Sequence, residues 1–243
     1  MTYTLLEIEN HWINTSAKFK DAHNNLVSLF SEVIPISFEV TKSLEGRKKL
    51  PENCTYLLLS KAINHSLSMF ALVERGLLID ASLSSRNAIE TFLMLELFAT
   101  DPREEYFKQW SNGKEFKPSF VRNKLGTSLK AVVREVEIIF DDDFYETVKL
   151  AYSFFSGITH SNLKSAGHSV IAKGKGKLEL PTGGNIEDKE ALIRCLFAVT
   201  CSGLIRAILI SSAIFSLKLL EDIGPRITHA QRLLNNVSKI QEI

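Results

Sequence analysis

The sequence predicts an all-α protein: a single bundle of about seven or eight helices spanning 1–243, with a small β-hairpin inserted near 168–181. Three observations lead there. Only 12 Gly and 6 Pro occur in 243 residues, well under their combined share of roughly 12% in average usage, so helix breakers are scarce. Apolar residues recur at three- and four-residue spacing over long stretches. Hydrophobic types make up 45% of the chain and charged types 23%, the balance of an ordinary globular domain rather than a disordered or fibrous one. A chain of this length buries about 70 to 75% of its unfolded surface, so its core needs no metal or disulfide.

From Leu5 onward Ile8, Trp12, Phe19, Leu26, Leu29 and Phe30 form a broad apolar stripe, and the first helix is expected to end near Pro35. Pro51 and Asn53 introduce a second apolar helix toward Leu78. Gly76 loosens its end, and either Asp80 is the N-cap of a third helix to Ala99 or the two helices run together with a kink near Gly76. Asp101-Pro102 followed by Glu104 and Glu105 is a start signal for a short helix through Trp110, because the carboxylate caps and the acids complement the dipole. Phe120 to Leu125 and Leu129 to Phe140 read as two further helical pieces. Asp141, Asp142 and Asp143 then introduce a helix from Phe144 to about His160.

Ser169 to Ala172 and Lys177 to Leu180 flank Gly174 and Gly176 and predict the hairpin. A long inner helix begins at about Glu187. Its core, Ala191 to Leu220, is long enough to span a bilayer, but Arg194 and Arg206 interrupt it, and a central arginine is costly in lipid. Ser202 and Gly203 among its small residues fit close helix packing instead. Gly224-Pro225 begins a last amphipathic helix. The N-terminal residues lack the basic start and apolar core of a secretory signal. Cys54, Cys195 and Cys201 show no CxxC pair, so buried thiols and a cytoplasmic location without membrane association are expected.

Lys+Arg 29 against Asp+Glu 28 leaves a formal +1, so no overall field draws the chain to nucleic acid or anionic lipid and any such binding must be local. Two constellations are candidates for chemistry. Arg86, Glu90, Leu93 and Leu97 fall on one helical strip, which places an i,i+4 ion pair beside residues that want burial. That pair is either a structural clamp between helices or an anion site in which Glu90 and Asn87 hold Arg86 toward a phosphate or carboxylate. Tyr152, Ser156 and His160 are spaced by four, with Asn162 just beyond. His160 falls where its helix should end, as a cap or as a general acid or base.

A basic run of Lys114, Lys117, Arg122, Lys124, Lys130 and Arg134 offers a weaker phosphate-binding face. Lys173-Gly174-Lys175-Gly176-Lys177 lacks the GxxxxGK[ST] spacing of a phosphate loop. His11, His23, His65, His168 and His229 show no metal-ligand spacing, and no dinucleotide fingerprint is present, so neither a metal nor a cofactor is expected.

The run Asp80-Ala81-Ser82-Leu83-Ser84-Ser85-Arg86-Asn87-Ala88-Ile89-Glu90, Asp101-Pro102-Arg103-Glu104-Glu105-Tyr106, and Tyr152-x-x-x-Ser156-x-x-x-His160 resemble a family of uncharacterised bacterial all-helical proteins. In outline that family is similar to the HEPN helical bundles, many of which are metal-independent RNases of toxin and phage-defence systems. Arg86-Asn87 matches the arginine and following polar residue of those nucleases. Thr91, Phe92 and Leu93 stand where their histidine would follow. The resemblance therefore implies that Arg86 and His160 are the catalytic pair, with Asn87, Glu90, Tyr152, Ser156 and Asn162 as binding residues and RNA or a nucleotide as ligand. The alternative is a non-enzymatic binding or interaction module whose buried polar network fixes helix register. A homodimer through exposed apolar stripes on the terminal helices is expected in either case.

Overall fold

The computed structural model describes residues 4–46, 50–101, 103–125, 130–133, 136–139, 144–159, 171–172, 178–179, 189–215 and 217–238. Among them are nine helices, one or two more than the sequence predicts, and the protein is an all-α bundle.

α1 (Leu5–Ala22) starts on a reciprocal cap: Glu7 N–H donates to Thr4 Oγ1 at 3.3 Å and Thr4 N–H donates to Glu7 Oε2 at 2.7 Å, which satisfies two amides that the first turn leaves without partners. The first helix does not run on to Pro35. It stops at His23, and α2 (Asn24–Ser43) carries Pro35 in its interior. Pro35 faces solvent while Val33, Ile34, Ile36 and Val40 are buried. Water can therefore take the carbonyl that the missing N–H leaves unbonded, and packing on both sides holds the helix together.

α3 (Leu50–Val73) and α4 (Leu78–Ala99) are separated by a turn in which Gly76 adopts φ +76°, a conformation open to glycine without strain. Asp80 lies inside the first turn of α4 rather than at its cap, which is Leu77. A carboxylate there still complements the helix dipole. The cap position of the next helix, α5 (Glu105–Ser111), is Glu104 rather than Asp101, but Asp101 Oδ2 still accepts from the first-turn Tyr106 N–H at 2.7 Å. α6 (Pro118–Leu125) comes next.

The sequence-predicted helix over Leu129 to Phe140 is instead an antiparallel pair, β1 (Lys130–Val133) against β2 (Val136–Ile139), with Lys130 opposite Ile139 and Val133 opposite Val136. Val132, Val133, Val136, Ile138 and Ile139 are β-branched, and restricted χ1 freedom favours the pleated strand over the helix. α7 (Phe144–Thr159) is the next helix; the predicted cap at Asp141 to Asp143 lies outside the described residues. Near 168–181 the described residues are β3 (Ile171–Ala172) paired with β4 (Leu178–Glu179), two residues a side and too little to stand as a β element of its own. The lysine-glycine run between them lies outside the described residues.

α8 (Glu190–Phe215) is the inner helix. It packs against α2, α3, α4, α7 and α9 (Leu217–Ser238). α9 begins before Gly224-Pro225 rather than at it and carries an exposed Pro225 inside, the arrangement seen at Pro35. Two stretches, Glu52–Val73 and Glu190–Ala213, are long and apolar enough to cross a membrane, and the second is mostly buried within the bundle.

The core centres on Phe19, Phe30, Phe70 and Phe197, where Phe30 and Phe70 stack with centroids 4.7 Å apart and Phe197 meets Phe70 edge-on at 5.9 Å. Gly203 is where α8 and α4 close up: a Cβ added there would lie 2.2 Å from Cδ2 of the Phe92 ring, well inside van der Waals contact. Several polar groups in this interior are paired across helices, while the buried Ser211 hydroxyl has no hydrogen-bond partner among the described residues. Ser85 and Thr200 hydroxyls bond across α4 and α8 at 2.8 Å, and Arg206 Nη2 donates to Glu96 Oε1 at 2.6 Å. Burial raises the thiols of Cys201 and of Cys195, the latter to about 11, so neither supplies a thiolate near neutrality.

Candidate functional site

α4 carries Arg86, Asn87 and Glu90 on its solvent-side edge, one turn before the buried Leu93 and two before Leu97. α7 packs across this edge and brings Tyr152, 66 residues away in the chain, onto the pair. Arg86 Nε donates to Glu90 Oε1 at 3.2 Å and Arg86 Nη2 donates to Tyr152 Oη at 2.8 Å. Tyr152 Oη in turn donates to Glu90 Oε1 at 2.9 Å. The three side chains thus close a ring of three hydrogen bonds. Burial raises the Tyr152 phenol above its ordinary value, and its hydrogen bond to the Glu90 carboxylate pushes it further the same way. The hydroxyl keeps its proton, and it is that proton which binds Glu90.

A second guanidinium shares the Tyr152 ring. Arg122, from α6, lies with its Cζ 4.4 Å from the ring centroid, and Arg86 Cζ lies 4.7 Å from it, both within cation–π range. Glu90 neutralises Arg86, whereas Arg122 has no carboxylate partner among the described residues. Arg122 thus adds a second positive charge to this half-buried surface, aimed at the same ring as the first. The sequence placed Arg122 only in a diffuse basic run. Its convergence on Tyr152 depends on α6 packing against α4, which no local pattern encodes.

Beside the ring is a cavity of about 180 Å³ between α3, α4, α5 and α6. Leu58, Leu93, Met94, Trp110, Phe116 and Val121 supply apolar walls, and Lys61, Asn87, Glu90 and Thr91 supply the polar ones. Glu90 belongs to both the cavity and the Arg86 ring. The Asn87 side-chain amide has no hydrogen-bond partner among the described residues, and its backbone carbonyl accepts from Thr91 Oγ1 at 2.7 Å. His65, one turn beyond Lys61 on α3, feels both sides of this site: burial lowers it below its ordinary 6.5, Lys61 pushes in the same direction, and Glu90 opposes both.

Of the sequence-predicted residues, the structure brings Arg86, Glu90 and Tyr152 into direct contact and places Asn87 beside them. Ser156 lies one turn further along α7, half-buried. His160 and Asn162 lie outside the described residues. Lys61, His65, Trp110, Phe116 and Arg122 join the site without having been singled out for it. Lys61 and His65 share an i,i+4 spacing that could have flagged them together, and the aromatic residues carried no signal distinguishing them from core. Comparison of the chain with protein-family models, curated proteins and solved structures gave no match.

Proposed function

We propose that the chain binds RNA through a backbone phosphate at Arg86 and Arg122 and cleaves it without a resident metal, in the manner of the stress and phage-defence HEPN nucleases it resembles. The observation that supports this most is the pair of guanidiniums on one tyrosine ring with a single carboxylate between them. A phosphate oxygen accepts bidentate hydrogen bonds from such groups, and a half-buried site strengthens that attraction relative to water. Arg122, with no carboxylate partner among the described residues, supplies positive charge that attracts the strand. Arg86, held by Glu90 and Tyr152, stabilises charge that builds on the phosphate as the neighbouring 2'-hydroxyl attacks. His160, directly after the last described residue of α7, transfers the proton between the 2'-hydroxyl and the leaving oxygen.

The test is incubation of purified protein with mixed RNA in excess chelator. Cleavage by the wild type, lost in His160→Ala and in Arg122→Ala, is the expected result. A wild type that neither binds nor cleaves RNA overturns the reading.

A second reading has its own observation. Glu96 with Arg206, and Ser85 with Thr200, pair polar groups inside the core, where they can fix the register of α4 against α8. On this reading the chain is a binding or interaction module, and RNA retained without cleavage by the wild type is its signature. In either reading we propose a homodimer, supported by exposed Leu5, Leu6 and Ile13 on α1. A monomer by light scattering at micromolar concentration excludes it.

A further inference from the structure

The cavity beside the arginine pair has features that the phosphate site does not explain. At about 180 Å³ it is smaller than the roughly 300 to 1,000 Å³ that encloses a whole drug-sized ligand, which leaves room for one flat ring and little more. Trp110 and Phe116 form part of its wall, and both are partly buried against the core. Trp110 is fixed by Phe98, with centroids 5.4 Å apart, and Phe116 stacks on Phe120 at 5.6 Å. Rigid aromatic walls of this kind take up a π-face at low entropic cost. Asn87 lines the same cavity, and its amide has both a donor and an acceptor and no partner among the described residues; Glu90 and Lys61 line it too. An amide can pair with the edge of a heteroaromatic base, which also presents a donor next to an acceptor.

Resting on the phosphate site at Arg86 and Arg122, we infer that this cavity receives one unstacked base of the strand whose phosphate those arginines hold, so the substrate class is single-stranded RNA. The shared Glu90 ties the two halves together: it lines the cavity and holds Arg86, which puts base and phosphate within one nucleotide of each other. A paired base cannot enter, because its edge is already satisfied and its faces are covered by neighbours.

The experiment measures binding of a fluorescent 2'-O-methyl RNA of about 12 nucleotides, which 2'-hydroxyl attack cannot cleave and whose length is within the usual range of single-strand site sizes, by anisotropy in three forms: single-stranded, annealed to its complement, and abasic at its central positions. Wild type is compared with Asn87→Leu, Asn87→Ser and Arg122→Ala, with circular dichroism confirming the fold of each. Wild type is expected to bind the single strand about tenfold more tightly than either the duplex or the abasic strand. Both Asn87 variants are expected to bind the intact and abasic strands equally, at the wild-type abasic level, and Asn87→Ser keeps the test available if the leucine variant fails to fold. Arg122→Ala is expected to weaken all three RNAs alike. Equal wild-type affinity for intact and abasic strands, or for duplex, overturns the base cavity while leaving the phosphate site in place. Full wild-type selectivity kept by both Asn87 variants does the same. Absence of binding to every RNA overturns the phosphate reading and the cavity with it.

Discussion

Arg206, on the innermost helix, donates from Nη2 to Oε1 of Glu96 at 2.6 Å and from Nε to Oε2 at 3.4 Å, with the two side chains only 3% and 4% exposed. The arginine that breaks up the most apolar stretch of the sequence is thus matched by a carboxylate 110 residues away. The Arg86–Glu90 pair differs in kind: its side chains are 27% and 32% exposed, and water screens much of its attraction.

That contrast assigns different costs to the two pairs. Glu96→Ala should destabilise the fold by about 3 to 5 kcal/mol, because it strands a buried charge. Glu96→Leu combined with Arg206→Met should recover much of the loss. Denaturant melts of Glu96→Ala and of the double variant measure this, and a Glu96→Ala protein as stable as wild type would show that the pair is not closed in solution.

Removing the Tyr152 hydroxyl takes the shared partner from Arg86 and Glu90 but leaves the ring under both guanidiniums. Tyr152→Phe should therefore cost only about 1 to 2 kcal/mol and should spare the attraction of Arg122. Tyr152→Ala removes the ring as well. Affinity for single-stranded RNA should fall further in Tyr152→Ala than in Tyr152→Phe, and equal losses would mean that the ring does not position the arginines.

Gly203 has no room for a side chain against Phe92. Gly203→Ala should overpack the contact and cost about 1 to 3 kcal/mol, and Gly203→Leu should cost more. Phe92→Leu opens space on the other side. In a double-mutant cycle the combined Gly203→Ala, Phe92→Leu variant should lose less stability than the two single changes added together. Strict additivity would place the two residues out of contact.

Among the described residues, two histidines contribute to the pH response. Burial lowers both His23 and His65 below their ordinary 6.5, and for His23, Arg194 adds to this while Glu190, 3.1 Å from its ring nitrogen, opposes it. A base with a lowered folded pKa binds its proton more readily in the unfolded chain. Its contribution to stability is complete above about pH 6.5 and falls as pH drops from there toward the folded values. Melting temperature should decline across that window in wild type, and less steeply in a His65→Gln variant. Identical slopes in the two proteins would remove His65 from the titration.

Helical periodicity in a sequence poor in glycine and proline was enough to establish an all-α bundle, and the small residues of 190–215 were enough to identify its inner helix. Both rest on local composition and on which face of a helix must be buried. The same local rules misplaced two helix boundaries, because Pro35 and Pro225 sit on exposed faces where water and flanking packing offset the lost hydrogen bond. They also misread the β-branched run 130–139, where apolar content at helical spacing concealed a strand preference. The i,i+4 spacing revealed Arg86 with Glu90, and the helical spacing of Tyr152 marked it as a candidate, since both patterns lie within single helices. That Tyr152 closes on Arg86, that Arg122 shares its ring, that Lys61 and Asn87 face one cavity and that Arg206 meets Glu96 were decided only by tertiary packing. These pairs are separated by 26 to 110 positions, and a chain's local pattern fixes which side of a helix is buried but not which distant helix will cover it.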